Sequence, residues 1–195
     1  MTAAPDSSPT GFELPPGDTN QNPQGLGLWK LIAEDWHTHG RRITAHGFWA
    51  LAIHRFGNWR MSIRTKPLRA PFTLIYRLLF AFSEWGIGIH LPYTTRIGRR
   101  VRIEHFGGIF LVAREIGDDC VLRQHTTLGA LDDARIGQYP ILGKHVEVGC
   151  GVAILGPVRI GDHASIGANA VVVRDIPAHA VAVGVPARVI KHKQP

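Results

Sequence analysis

Acidic residues are scarce in this chain, and so is cysteine. The 195 residues hold 15 Asp and Glu against 22 Lys and Arg, a formal net charge of +7. From Trp36 to Ser83 there is no acidic residue, while Arg41, Arg42, Arg55, Arg60, Arg64, Lys66, Arg69 and Arg77 all fall in that stretch. A field of one sign favours anionic partners: a phosphate-rich cofactor, anionic lipid or nucleic acid. No nucleic-acid recognition motif accompanies the charge, so nucleic acid is set aside. Two cysteines, Cys120 and Cys150, are too few for a disulfide-built secreted scaffold. The N-terminus lacks a basic segment followed by an apolar one, the pattern of a secretory signal. The expectation is therefore a cytoplasmic protein with reduced thiols. Long apolar runs are also missing. Phe72 to Phe82 is interrupted by Arg77 and closed by Glu84, well short of the roughly 20 apolar residues a membrane span needs.

What is present divides the chain unevenly. Residues 1–25 are rich in Pro, Ser, Thr, Asn and Gly and read as a disordered tail. Residues 26–86 read as a helical domain. Leu28, Leu31, Ile32 and Trp36 recur at helical spacing, as do Phe48, Leu51, Ala52, Phe56 and Trp59 beyond a break near Gly40. Pro67 and Pro71 punctuate the chain before a third apolar run. Packing against other helices or the β-domain accounts for these faces. The basic, aromatic-rich surface also suits peripheral contact with a membrane.

Residues 87–190 carry a repeat. Aliphatic side chains return every six positions at Leu142, Val148, Ile154, Ile160, Ile166 and Val172. Gly follows at positions 143, 149, 161 and 167, and a small or β-branched residue precedes each aliphatic by two, at Val146, Val152, Val158, Ala164 and Ala170. The same frame holds at Ile97, Ile103 and Ile109, then slips by one to Ile116, Leu122 and Leu128. It is lost over residues 130–139, which read as a loop. Six residues make one short strand and a corner, with the aliphatic pointing into a narrow interior. Stacked coils then share backbone bonds and aliphatic ladders. The fold class read here is a mainly β, parallel β-helix with an N-terminal helical cap. Residues 191–195 read as a basic tail.

Six passages add a resemblance. They are GFWALAIHRFGNW (Gly47 to Trp59), GIHLP (Gly88 to Pro92), IEHFGGI (Ile103 to Ile109), TTLGA (Thr126 to Ala130), AILGPVRIGDHASIGANAVV (Ala153 to Val172) and GVPARVI (Gly184 to Ile190). Together they resemble the hexapeptide-repeat acyltransferases, and within them the serine O-acetyltransferases, including variants found among exopolysaccharide-synthesis proteins. The resemblance implies a left-handed β-helix and acetyl-CoA as co-substrate, with no metal. It implies a homotrimer, or a dimer of trimers, with acetyl-CoA in the groove between neighbouring coils.

O-acetyl transfer needs a base for the attacking hydroxyl, donors for the developing oxyanion and a fixed cofactor. The resemblance places the base at His105, where a neutral imidazole suits the task. Glu104 stands where the family carries an aspartate, and His90 where it has a histidine near the active site. Gly129, Gly151 and Ala168 match positions lining the CoA groove, and Arg188 and Lys191 are charge-assisted donors for its phosphates. The other reading of each is structural: a corner histidine, a tight turn, an exposed basic end.

Three departures concern the acceptor. Gly88 replaces an aspartate that orients the catalytic histidine in the family. Glu104 is one methylene longer than the usual aspartate. Gln138 and Tyr139 replace an arginine–histidine pair that grips the serine carboxylate, and losing a cationic clamp weakens carboxylate binding. The acceptor expected is a serine or a sugar hydroxyl. A γ-carbonic-anhydrase-like metal protein is the rival from another class, because His105, His125 and His145 are each spaced by 20. A non-catalytic β-helix is the remaining alternative.

Overall fold

The computed structural model describes residues 11–193. Three helices come first: α1 (Leu28–Thr38), α2 (His46–Trp59) and α3 (Lys66–Phe82). A 3-10 turn, Arg60–Ser62, follows α2, and a π-helical turn, Ser83–Ile87, leads α3 into the first strand. The third helix starts earlier than the apolar run suggests. Pro67 sits in its first turn, where an amide donor is not required, and Pro71 is carried inside the helix rather than before it.

From Ile89 onward the chain winds into a left-handed β-helix with three parallel sheets. The first sheet stacks Ile89–His90, Ile109–Leu111, Thr127–Gly129, Ala153–Leu155 and Val171–Val172. The second stacks Arg96–Ile97, Glu115–Ile116, Ile141–Leu142 and Arg159–Ile160. The third stacks Arg102–Ile103, Val121–Leu122, Glu147–Val148, Ser165–Ile166 and Ala180–Val183, closed by the antiparallel strand Arg188–His192. Register puts Leu128 beside Ile154 and Ile154 beside Val172, so in-frame aliphatics meet their counterparts one coil away, although Leu111 rather than Ile109 meets Leu128. These residues form a single buried column from Ile89 to Ala182. Cys120 belongs to it, and burial pushes its thiol up to about 12, so it serves packing.

The one-residue slip in the repeat has a structural origin. Leu122 to Leu128 and Val148 to Ile154 each take six steps from the third sheet to the first, but Ile103 to Leu111 takes eight and the next leg, Leu111 to Ile116, takes five, which leaves a net slip of one. The excess lies in the corner His105–Gly108, where Gly107 and Gly108 both adopt positive φ. The bulged corner is the one that carries the candidate base.

The cap is fastened to the first coil by polar bonds. Arg55 is fully buried; its Nε donates to Asp35 (3.0 Å), and its other nitrogens donate to the Ile97 and Gly98 carbonyls (3.0 and 2.6 Å). His39 receives the Ile103 amide at Nε2 (3.2 Å) and donates from Nδ1 to the Asp35 carbonyl (2.7 Å), which fixes a neutral tautomer. Gly47 lets α2 approach closely, since a Cβ there would lie 2.7 Å from the Ile103 Cβ.

Both ends differ from expectation. Residues 1–10 of the expected tail lie outside the described residues. Residues 11–25 pack as turns on the body: the Asn22 side chain is buried on the Arg55 carbonyl (2.9 Å), and the Phe12 ring lies 4.7 Å from the Arg159 guanidinium. Polar side chains that meet buried carbonyls give this low-hydrophobicity stretch its order. At the other end Lys191 and His192 complete the last strand, while residues 194–195 lie outside the described residues.

Candidate active site

The edge between the third and first sheets turns through a left-handed residue in each coil: His105 (φ 69°), His125 (59°), Gly151 (69°) and Asn169 (57°). Histidine and asparagine tolerate that conformation better than most side chains. Backbone bonds tie the corners together. The His125 amide donates to Gly107 (3.4 Å), Gly151 to Gln124 (3.0 Å) and Asn169 to Cys150 (2.8 Å). His105, Gly151 and Ala168 therefore share one edge, with the His125 corner between the candidate base and the two small residues. Small residues at 151 and 168 keep the upper part of that edge flat.

His105 is exposed and sits at the mouth of a cleft of about 630 Å³ between the α1–α2 turn and the bulged corner. His37, His39, Arg42 and His46 line it from the cap, and Arg102, Glu104 and Phe106 from the coil. The His46 ring packs on Phe106 at 4.6 Å. Among the described residues, no hydrogen bond orients the His105 ring. The neighbouring carboxylate is occupied elsewhere: Glu104 lies 3.1 Å from the Arg102 Nε and 3.1 Å from the Arg123 Nε.

His90 is better held. Its Nδ1 is 2.7 Å from a Glu84 carboxylate oxygen, and its ring stacks on Phe110 at 4.3 Å and 10°. A proton on Nδ1 shared with Glu84 leaves Nε2 as the free nitrogen. The strand register explains the stack, since His90 lies directly beside Phe110. Glu84, Phe110 and Arg123 were not among the residues singled out from sequence. Only Glu84, six residues before His90, carried a signal in its spacing; the others depend on stacking between coils.

Gly88 adopts φ 74°, and a Cβ there would come within 3.0 Å of the Gly107 Cα. The bulged corner thus occupies the space that a side chain at 88 would need. That is the physical counterpart of the missing aspartate.

Gly129, Gln138 and Tyr139 lie on the opposite edge of the first sheet. Gly129 ends its strand and enters the loop, which contains a 3-10 turn, Asp133–Arg135, capped by the Asp132 side chain. The Tyr139 amide donates to the Phe12 carbonyl (2.9 Å), and the Gln138 amide to Arg135 (3.1 Å). Within one chain this edge and the His105 edge are separated by the width of the sheet. Arg188 and Lys191 lie exposed on the closing strand, opposite Val183 and Val181. His145 is on a third edge, between the second and third sheets, so His105, His125 and His145 do not converge within one chain.

The comparisons with known proteins agree with this geometry. Residues 139–174 match the family model described as bacterial transferase hexapeptide (six repeats). A serine acetyltransferase of Helicobacter pylori (strain J99) is 38% identical over 120 residues, covering 61% of this chain and 70% of that protein. A serine acetyltransferase of Synechococcus elongatus is 35% identical over 145 residues, 74% of this chain; the chain spans only 57% of that relative's length. Among solved structures, a serine acetyltransferase in complex with CoA superposes with a TM-score of 0.68 at 25% identity, over 84% of this chain and 69% of that one. The chain belongs to the serine acetyltransferase family of hexapeptide-repeat transferases.

Proposed function

We propose that the chain is an acetyl-CoA-dependent O-acetyltransferase that uses His105 as general base, acts in the cytoplasm and takes the serine hydroxyl as acceptor. The observation that carries this is the shared edge: an exposed imidazole at the mouth of a cleft, with Gly151 and Ala168 on the same edge two and three coils further along, beyond His125. The flat edge suits a long, thin cofactor arm. Arg188 and Lys191 at its far end suit the phosphates. A side-by-side homotrimer completes the site, because Gly129, Gln138 and Tyr139 then approach His105 from a neighbouring copy.

In this reading the acyl donor supplies a thioester carbonyl and a thiolate leaving group. His105 accepts the proton of the acceptor hydroxyl as the oxygen attacks the carbonyl carbon. The new C–O bond replaces the C–S bond, and the imidazolium returns its proton to the departing sulfur. His90, oriented by Glu84, is a second polar group beside the same sheet.

One observation favours a second acceptor class. Gln138 and Tyr139 present no cation, Gly88 presents no side chain, and Glu104 is held between two arginines. A sugar hydroxyl, as in an exopolysaccharide precursor, needs no carboxylate clamp. The test is thiol release from acetyl-CoA with serine, homoserine and a panel of nucleotide- and lipid-linked sugars. His105→Asn preserves the left-handed backbone and should lower the rate at least about 100-fold. A variant that keeps the wild-type rate removes His105 from the chemistry. A sugar that outruns serine reassigns the acceptor and leaves the base in place.

A further inference from the structure

We propose that the outward face of α3 docks the protein on an anionic lipid surface. The helix packs through one side only. Phe72 meets Phe56 and Trp59, Tyr76 meets Tyr93, and Phe80 meets His90. On the opposite side, large apolar side chains stand in solvent at helical spacing: Leu74 (61% exposed), Leu78 (65%) and Phe82 (57%), continued by Trp85 (92%) on the π-turn. Ile75 and Leu79 extend the same sector. Monomeric proteins seldom leave a contiguous apolar stripe of this kind uncovered.

Charge selects the occupant. Exposed Lys66 and Arg77 flank the stripe on one side, with exposed Arg64 just before the helix. None of the three makes an ion pair among the described residues. Residues 26–87 contain only three acidic side chains, Glu34, Asp35 and Glu84. Each is already engaged inside the fold, by Arg99, Arg55 and His90 respectively. A second copy docking face to face would set like charges against one another and bring no carboxylate to meet them. Anionic headgroups supply that negative charge, while the acyl region receives the stripe and the tryptophan. This is the arrangement of an interfacial amphipathic helix with a basic flank. The same helix abuts His90 and the first coil, so docking would hold the His105 cleft near the bilayer, within reach of a lipid-linked acceptor.

The test is co-sedimentation of the full chain with vesicles of phosphatidylcholine alone or with 30% phosphatidylglycerol. Binding to the anionic vesicles should be at least about tenfold tighter, and should weaken as salt is raised. Lys66→Gln with Arg77→Gln removes two surface cations and should weaken binding by about 25-fold, roughly fivefold for each. Leu78→Glu with Phe82→Glu should abolish it at unchanged helix content and unchanged assembly mass. Absence of binding, or equal binding to both vesicle types, overturns the proposal. So does a change of assembly mass in the Leu78/Phe82 variant, which would make the stripe a protein interface. Thiol release from acetyl-CoA with a soluble acceptor is measured on each variant. It should not change, so the outcome is separable from that of the acetyltransfer reading.

Discussion

The helical cap and the coil solve the folding problem in opposite ways. In the coil the interior is aliphatic apart from Cys120 and two buried threonines, and charge stays on the outer faces of the sheets. In the cap the pattern is partly inverted. Among the described residues, eight of the ten buried polar side chains belong to residues 22–83, including Asp35, His39, His54, Arg55, Asn58 and Arg60. Most of the large apolar side chains left in solvent also lie there, from Trp29 to Trp85. A repeated rung needs only one kind of inward residue, because each coil brings its own hydrogen-bond partners above and below. A three-helix cap resting on the end of a coil must satisfy that coil's exposed carbonyls, and it does so with the Arg55 guanidinium, the His54 imidazole and the Asn58 amide.

The largest test of that contrast is to break the cap's central ion pair. Asp35→Asn leaves Arg55 buried without its counter-ion and should cost about 3–5 kcal/mol in chemical denaturation. If the loss is below about 1 kcal/mol, the cap is held by its apolar contacts and the contrast fails.

Acid should act on the cap before the coil. The His54 Nε2 donates to the Thr95 carbonyl at 2.8 Å, and burial pushes its pKa from 6.5 down to about 3. Burial also holds His39 below its ordinary value. The unfolded chain binds protons that the folded protein refuses. For His54 the stability that follows is complete above about pH 6.5 and falls as pH drops from there towards 3, at up to roughly 1.4 kcal/mol per pH unit, and His39 acts in the same direction. His54→Gln keeps a donor for Thr95 and removes the titration. Its melting temperature should fall less than that of the wild type between pH 6.5 and 5. Parallel curves would clear His54 of the effect.

The smallest effect belongs to the coil's outer edge. His145, His163 and His179 stack ring on ring at 4.6 and 4.9 Å, within 8° of parallel. His163→Asn keeps the left-handed backbone (φ 59°) and deletes both stacks. The expected loss is about 0.5–1.5 kcal/mol in denaturant unfolding. No measurable loss would show that the rungs hold through backbone and aliphatic ladders alone.

The coil was legible because its period is local. Leu142 to Val172 announces its own register, whereas the slip after Ile109 falls beyond the bulged corner, because Leu111 rather than Ile109 stacks on Leu128. The candidate base was legible through the motif around it. Its surroundings were not. Glu84 meets His90 across a turn, Arg102 sits two residues before Glu104, and Arg123 on Glu104 and Phe110 on His90 are contacts between coils. Spacing along the chain carries no trace of the pairings between coils. The early residues misled for a related reason: Asn22 looks like tail composition until a buried carbonyl needs its amide.

The sequence by itself determined a stack of six-residue rungs and where the stack breaks. Those depend on short-range periodicity, which the chain displays directly. Only the tertiary structure decided that His105, Gly151 and Ala168 share an edge, that Gln138 and Tyr139 lie across the sheet from it, and that the cap turns its charges inward and one apolar face outward. Such placements follow from coils closing on themselves and helices meeting the coil's end, where distance in space no longer follows distance along the chain.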